Sequence, residues 1–166
     1  MLGGSRVLMA KLPKSSRSYV VCLSLTLFAC GSDDEEAGAS GKYAQARQDC
    51  VDRINGFRST EGKPAYTHWT SAGTCSDGQA QSDSMTGDAH GEFGACDEMA
   101  QNECPGWASI DDVVQNCLQH MWDEGPGEPF SEHGHYTNMS STDYTMVACG
   151  FYETADGEVW SVQNFR

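Results

Sequence analysis

Six cysteines spread over residues 50–149 constrain this chain more than any other feature. Cys50, Cys75, Cys96, Cys104, Cys117 and Cys149 recur at no fixed interval and include no C-x-x-C knuckle, the spacing on which thiolate zinc sites are usually built. An even number of such cysteines in an exported domain reads as three disulfides, and six thiols allow fifteen pairings that spacing alone does not choose among. A disulfide-stapled domain of modest size is the expectation.

The N-terminal segment supports export. Residues 1–18 carry Arg6, Lys11, Lys14 and Arg17 and no acid, and residues 19–29 form an apolar run too short to span a bilayer as a mature helix. A basic stretch, a short apolar stretch and a small residue at a cut site make a signal-peptide pattern. Leu27-Phe28-Ala29-Cys30 resembles a bacterial lipobox. Residues 1–29 are thus expected to be removed, with Cys30 lipidated. Residues 30–42 form an acidic, polar tether that cannot pack a core, and the folded domain is expected over 43–166. Gly31 rather than Asp follows Cys30, which by resemblance to lipoprotein sorting points to the outer membrane. The lipid is then the only membrane attachment.

Loss of residues 1–29 takes away four of the ten basic residues and none of the 24 acids, which leaves a net charge of −18. Such a surface repels nucleic acid and anionic head groups. It suits a solvated extracytoplasmic protein that binds cations or neutral ligands.

Hydrophobic spacing organises the domain. Ala46, Cys50, Val51, Ile54 and Phe57 recur at helical intervals and predict a helix over 43–58. A weaker helix, rich in Ala, Gln and Ser, is expected over about 70–85, and 86–108 reads as irregular, pinned by Cys96 and Cys104. Ser109 caps a third helix, with Asp111 and Asp112 in its first turn. Val113, Val114, Cys117, Leu118, Met121 and Trp122 form its buried stripe, and Gly125-Pro126-Gly127 ends it. Residues 145–152 and 158–165 are β-rich runs joined through Asp156-Gly157, a hairpin signal. Helices followed by an antiparallel hairpin predict an α+β layer fold.

Of five histidines, His133-Gly134-His135 draws notice first: in an extended segment both rings face one side and could meet one metal. His133 itself is read as a neighbour of the site, and His68 and His120 as structural or exposed. Gly134-His135-Tyr136-Thr137-Asn138, followed eleven residues on by Cys149-Gly150, resembles the signature of the CAP superfamily, also called the SCP domain. Asn55-Gly56-Phe57-Arg58, Trp69, Gln101-Asn102, Met121-Trp122-Asp123-Glu124 and Val162-Gln163-Asn164-Phe165 match further family motifs in order. The resemblance spans about residues 44–165.

That resemblance implies a three-layer α-β-α sandwich with a small antiparallel sheet and a cleft holding two His and two acids. His135 takes the second His position, Glu124 the acid ending the third helix, and His90 the first His position by placement. The remaining acid falls on Gln101, a departure, with Glu103 two residues away. Tyr136 and Asn138 are expected in the cleft wall. The two imidazoles imply a weak, exchangeable zinc site, since two protein ligands fall short of the usual three or four. Gln101 cannot act as a general base, so the pattern points to binding rather than catalysis, and the resemblance implies a small-molecule or lipid ligand, or a surface protein, as the partner. The alternative is a metal-dependent hydrolase or protease in which His90 and His135 hold zinc and Glu124 is the base.

Overall fold

The computed structural model describes residues 41–166. The expected signal, the lipidated Cys30 and all but the end of the tether lie outside the described residues. Among the described residues no helix is long and apolar enough to cross a membrane.

Helix α1 spans Ala44–Thr60 and buries the expected residues, Ala46, Cys50, Val51, Ile54 and Phe57, together with Arg58. Strand β1 is Thr67–His68. Helix α2 runs over Gly73–Thr86 and ends on Gly87 with φ of +70°. Its buried face is mostly polar, with Ser76, Gln79 and Asp83 beside Ala80, which is why its hydrophobic periodicity is faint. Strand β2 follows at Ala100–Trp107. Helix α3 comprises Ile110–Asp112, a π-helical turn over Val113–Cys117, and Leu118–Asp123. As expected, Ser109 caps it, its hydroxyl accepting from the N–H of Asp112 at 3.0 Å. Helix α4 is Phe130–Ser140. Strands β3 (Met146–Glu153) and β4 (Val159–Phe165) complete the chain, joined through Gly157 at φ +87°.

The sheet order is β1-β3-β4-β2. β3–β4 and β4–β2 are antiparallel, as expected, but the two-residue β1 runs parallel to β3, so the sheet is mixed. Side chains alternate across a strand, so neighbours on β3 report the two faces. Cys149 is disulfide-bonded to Cys50 of α1, whereas Gly150 abuts Ser76 of α2. Helix α2 therefore covers one face, and α1 covers the other with α3 and α4 packed beside it. The remaining disulfides are Cys75–Cys96 and Cys104–Cys117, so all six cysteines of the domain are paired.

Two expectations are corrected. The stretch 86–108 is not wholly irregular, because β2 occupies its last third. That strand lacks β-branched residues and contains Pro105 and Gly106. It sits at the sheet edge, and the pairing shifts between Cys104 and Trp107, where a bulge admits a residue that cannot donate to a ladder. The His133-Gly134-His135 segment is helical rather than extended. At about 100° per residue, positions two apart on a helix diverge by about 200°, so the two rings leave on opposite sides.

Candidate functional site

Buried and half-buried polar side chains set the frame. Asn55 Nδ2 donates to the carbonyl of Tyr66 at 2.9 Å while its Oδ1 accepts the Tyr66 N–H at 2.7 Å. Arg58, 1 % exposed, donates from Nη1 to the carbonyls of Met139 at 2.8 Å and Ser141 at 2.7 Å. These are carbonyls at the C-terminal end of α4, where a cation is favoured. Asn102 Nδ2 donates to the His135 carbonyl at 3.0 Å, and Asn138 Nδ2 donates to Asn102 Oδ1 at 2.9 Å. The helix carrying His135 is thus fixed to α1 at its end and to β2 at its middle.

Glu124, just past α3, orients His135. Its carboxylate accepts the His135 N–H at 3.0 Å and Nδ1–H at 2.5 Å, and the Tyr136 N–H at 3.3 Å. His133 faces the other way, its Nδ1–H donating to the carbonyls of Glu124 and Gly125 at 2.8 and 2.9 Å. It braces the turn that presents Glu124 and is no partner of His135 in a shared ligand set.

His90 lies in the turn between α2 and β2 with φ of +64°, a left-handed conformation that is uncommon for a non-glycine residue. Several groups hold that turn. The Glu98 carboxylate accepts the Gly94 N–H at 2.6 Å and the Cys96 N–H at 2.9 Å. Asp83 Oδ1 accepts the Glu92 N–H at 3.1 Å, and the Cys75–Cys96 disulfide ties the turn to α2. Gln101 and Glu103, two apart on β2, share the face toward α2. Gln101 Oε1 accepts the His90 Nδ1–H at 2.9 Å, and its Nε2 donates to Asn164 Oδ1 at 3.0 Å. Glu103 accepts the His90 backbone N–H at 2.5 Å. Burial pushes the Glu103 carboxyl up to about 7, with the charges of Asp83 and Asp88 adding to the rise and the His90 N–H opposing it.

His90, Gln101, His135 and Asn138 line one cavity of about 700 Å³. Tyr136, expected in its wall, is instead buried against Trp122, with ring centroids 4.8 Å apart, and its hydroxyl donates to Glu61 at 2.7 Å. Glu124 reaches the cavity only through His135. Both lining imidazoles have Nδ1 fixed by an oxygen acceptor, so in the neutral ring each carries its lone pair on Nε2. Metal-ligating histidines are held in this way. No group of three or more His, Cys, Asp or Glu side chains converges on a metal position among the described residues.

Sequence reasoning missed the anchoring of His90 by Glu103. The strand period would have revealed it, since residues 101 and 103 share a face once β2 is recognised. It also missed Phe93, Met99, Phe130, Asp143 and Tyr144 in the cavity wall, because these come from separate elements.

The layer order and the His–Glu pair define a domain class that comparison with known proteins identifies. The profile of the Cysteine-rich secretory protein family, CAP, matches residues 51–165, and the chain belongs to that family. The solved structure of Na-ASP-1 is similar, with TM-score 0.55 and 15 % identity, over 72 % of this chain and 38 % of that one. This chain therefore spans well under half of Na-ASP-1. BmVAL-1 superposes with TM-score 0.54 and 16 % identity, over 78 % of this chain and 79 % of its own. NaASP2, in a structure described as containing Zn2+, gives TM-score 0.54 and 13 % identity over 78 % and 82 %. At these identities the likeness is one of fold. No curated protein matches by sequence.

Proposed function

We propose that this domain is a cleft-binding module displayed outside the cytoplasm through a lipid on Cys30, at the outer membrane. His90 and His135 take a divalent cation weakly and exchangeably, and the cavity beside them takes a small ligand with an apolar part. The observation that carries this reading is that both rings line one cavity with Nδ1 held by an oxygen acceptor, His90 by Gln101 and His135 by Glu124. Pairing of all six domain cysteines fits an oxidising compartment. The Zn2+ named in the NaASP2 structure supports the choice of metal.

Hydrolysis with Glu124 as general base draws no support from the geometry. Both of its oxygens are engaged by His135 and Tyr136, and the Gln101 amide cannot take a proton.

Calorimetric titration of the oxidised, metal-free protein with zinc tests the reading, beside His90→Ala and His135→Ala. Stoichiometric binding lost in both variants is expected. Binding unchanged by either substitution removes the metal site. Glu124→Gln is expected to weaken zinc binding through loss of His135 orientation, by about 10- to 100-fold.

A further inference from the structure

Among the described residues four large apolar side chains are strongly exposed, and three of them, Phe93 at 53 %, Met99 at 65 % and Phe130 at 60 %, stand around the cavity that holds His90 and His135. They come from the turn after α2, the residue before β2 and the first residue of α4. Only the tertiary fold gathers them. The Phe130 ring is seated rather than loose, because a Cβ on Gly134 would meet its Cε1 at 3.0 Å. Tyr144 adds a third aromatic ring to the wall. Clustered apolar side chains on a chain of net charge −14 mark a contact surface.

The polar side of the cavity restricts what that surface accepts. No lysine or arginine lines it among the described residues, and Asp143 does. Glu124 and Glu103 lie directly behind the two imidazoles. The Gln101 amide is already committed on both sides, to His90 and to Asn164. The one carboxylate in the lining is that of Asp143, beside the two imidazoles and the neutral hydroxyls of Ser131, Thr137, Ser141 and Tyr144. An anionic head group meets repulsion here, whereas a positive head carrying N–H donors meets acceptors, a carboxylate and aromatic faces.

We infer that the cavity binds a small organic ammonium carrying an apolar body, with the body against Phe93, Met99 and Phe130 and the ammonium among His90, His135 and Asp143. This rests on the cleft reading above and names its ligand class.

Three probes with a common skeleton test it: 2-phenylethylammonium, 2-phenylethanol and 3-phenylpropanoate. Each is titrated by NMR into the metal-free, oxidised protein. The ammonium is expected to bind roughly tenfold more tightly than the alcohol, with no binding of the carboxylate. Phe130→Ser and Asp143→Asn, both on the cavity wall, are each expected to weaken ammonium binding severalfold, and added salt to weaken it further. Equal affinity for alcohol and ammonium, binding of the propanoate, or no binding of any probe overturns the inference. Zinc binding in the same preparation separates the outcomes: if zinc binds at His90 and His135 while the ammonium does not, the cleft reading stands and the ligand class fails.

Discussion

The Glu103 carboxylate accepts the backbone N–H of His90 at 2.5 Å, so a side chain that is 1 % exposed holds a residue in the left-handed region at the mouth of the cleft. Its carboxyl is raised from 4.5 to about 7, chiefly by burial, and Asp83 beneath the same turn is raised for the same cause. The folded state thus holds protons that the unfolded state releases. The stabilisation this contributes is full below about pH 4.5 and is lost as pH rises through about 7. Glu103→Gln keeps an acceptor for His90 and removes the ionisation. The variant is expected to flatten the fall of Tm between pH 4.5 and 7, with Asp83 leaving a smaller slope. It is also expected to be more stable than the parent at pH 8. Thermal melts across that range check this; parallel curves for the two proteins refute it.

Arg58 ties the end of α4 to α1 through the Met139 and Ser141 carbonyls, and its Nε donates to the Pro64 carbonyl at 2.8 Å. Arg58→Met fills part of the space but leaves these acceptors unpaired. A loss of about 3 kcal/mol is expected in urea denaturation, as for charge-assisted bonds removed from the interior.

Gly150 is required by the approach of α2. A Cβ there would stand 2.1 Å from the carbonyl carbon of Ser76, and backbone cannot swing aside as a flexible side chain can. Gly150→Ala is expected to cost about 3 kcal/mol through forced separation of α2 from β3, measured as a lowered urea midpoint. Gly56→Ala, inside α1 with open space at its Cβ, is the control and is expected to stabilise by about 0.5–1 kcal/mol.

The three disulfides close loops of different length. Cys50–Cys149 encloses a separation of 99 residues and Cys104–Cys117 one of 13. Replacing the first pair by alanine is expected to cost about 4–5 kcal/mol and the second about 3 kcal/mol. Comparison of Tm for the two double variants checks the order.

Helix α1, helix α3 with its Ser109 cap, and the β3–β4 hairpin were legible in the sequence because each announces itself locally. An apolar stripe, a capping hydroxyl and an Asp-Gly turn act within a few residues. Helix α4 was not, since His-Gly-His reads equally well as an extended segment. Its helical form is favoured by contacts from Arg58, Asn102 and Glu124 that arrive from three other elements. Strand β2 was hidden by its composition, as an edge strand stabilised through pairing with β4 rather than by its own propensity. In the site, His135 and Glu124 were legible through family motifs. Tyr136 was misplaced because its helical phase turns it toward Glu61.

The sequence by itself determined the family, the α+β class and the disulfide count, since these depend on residue type and near-neighbour spacing. The tertiary structure alone decided which cysteines pair, that Glu103 grips His90 across the α2–β2 turn, that His133 turns away from His135, and that Phe93, Met99 and Phe130 ring one cavity. Each of these joins residues distant along the chain or depends on a backbone conformation set by distant contacts. The physical reason is that direction and proximity in such cases follow from how the helices pack on the sheet, which no short window of sequence encodes.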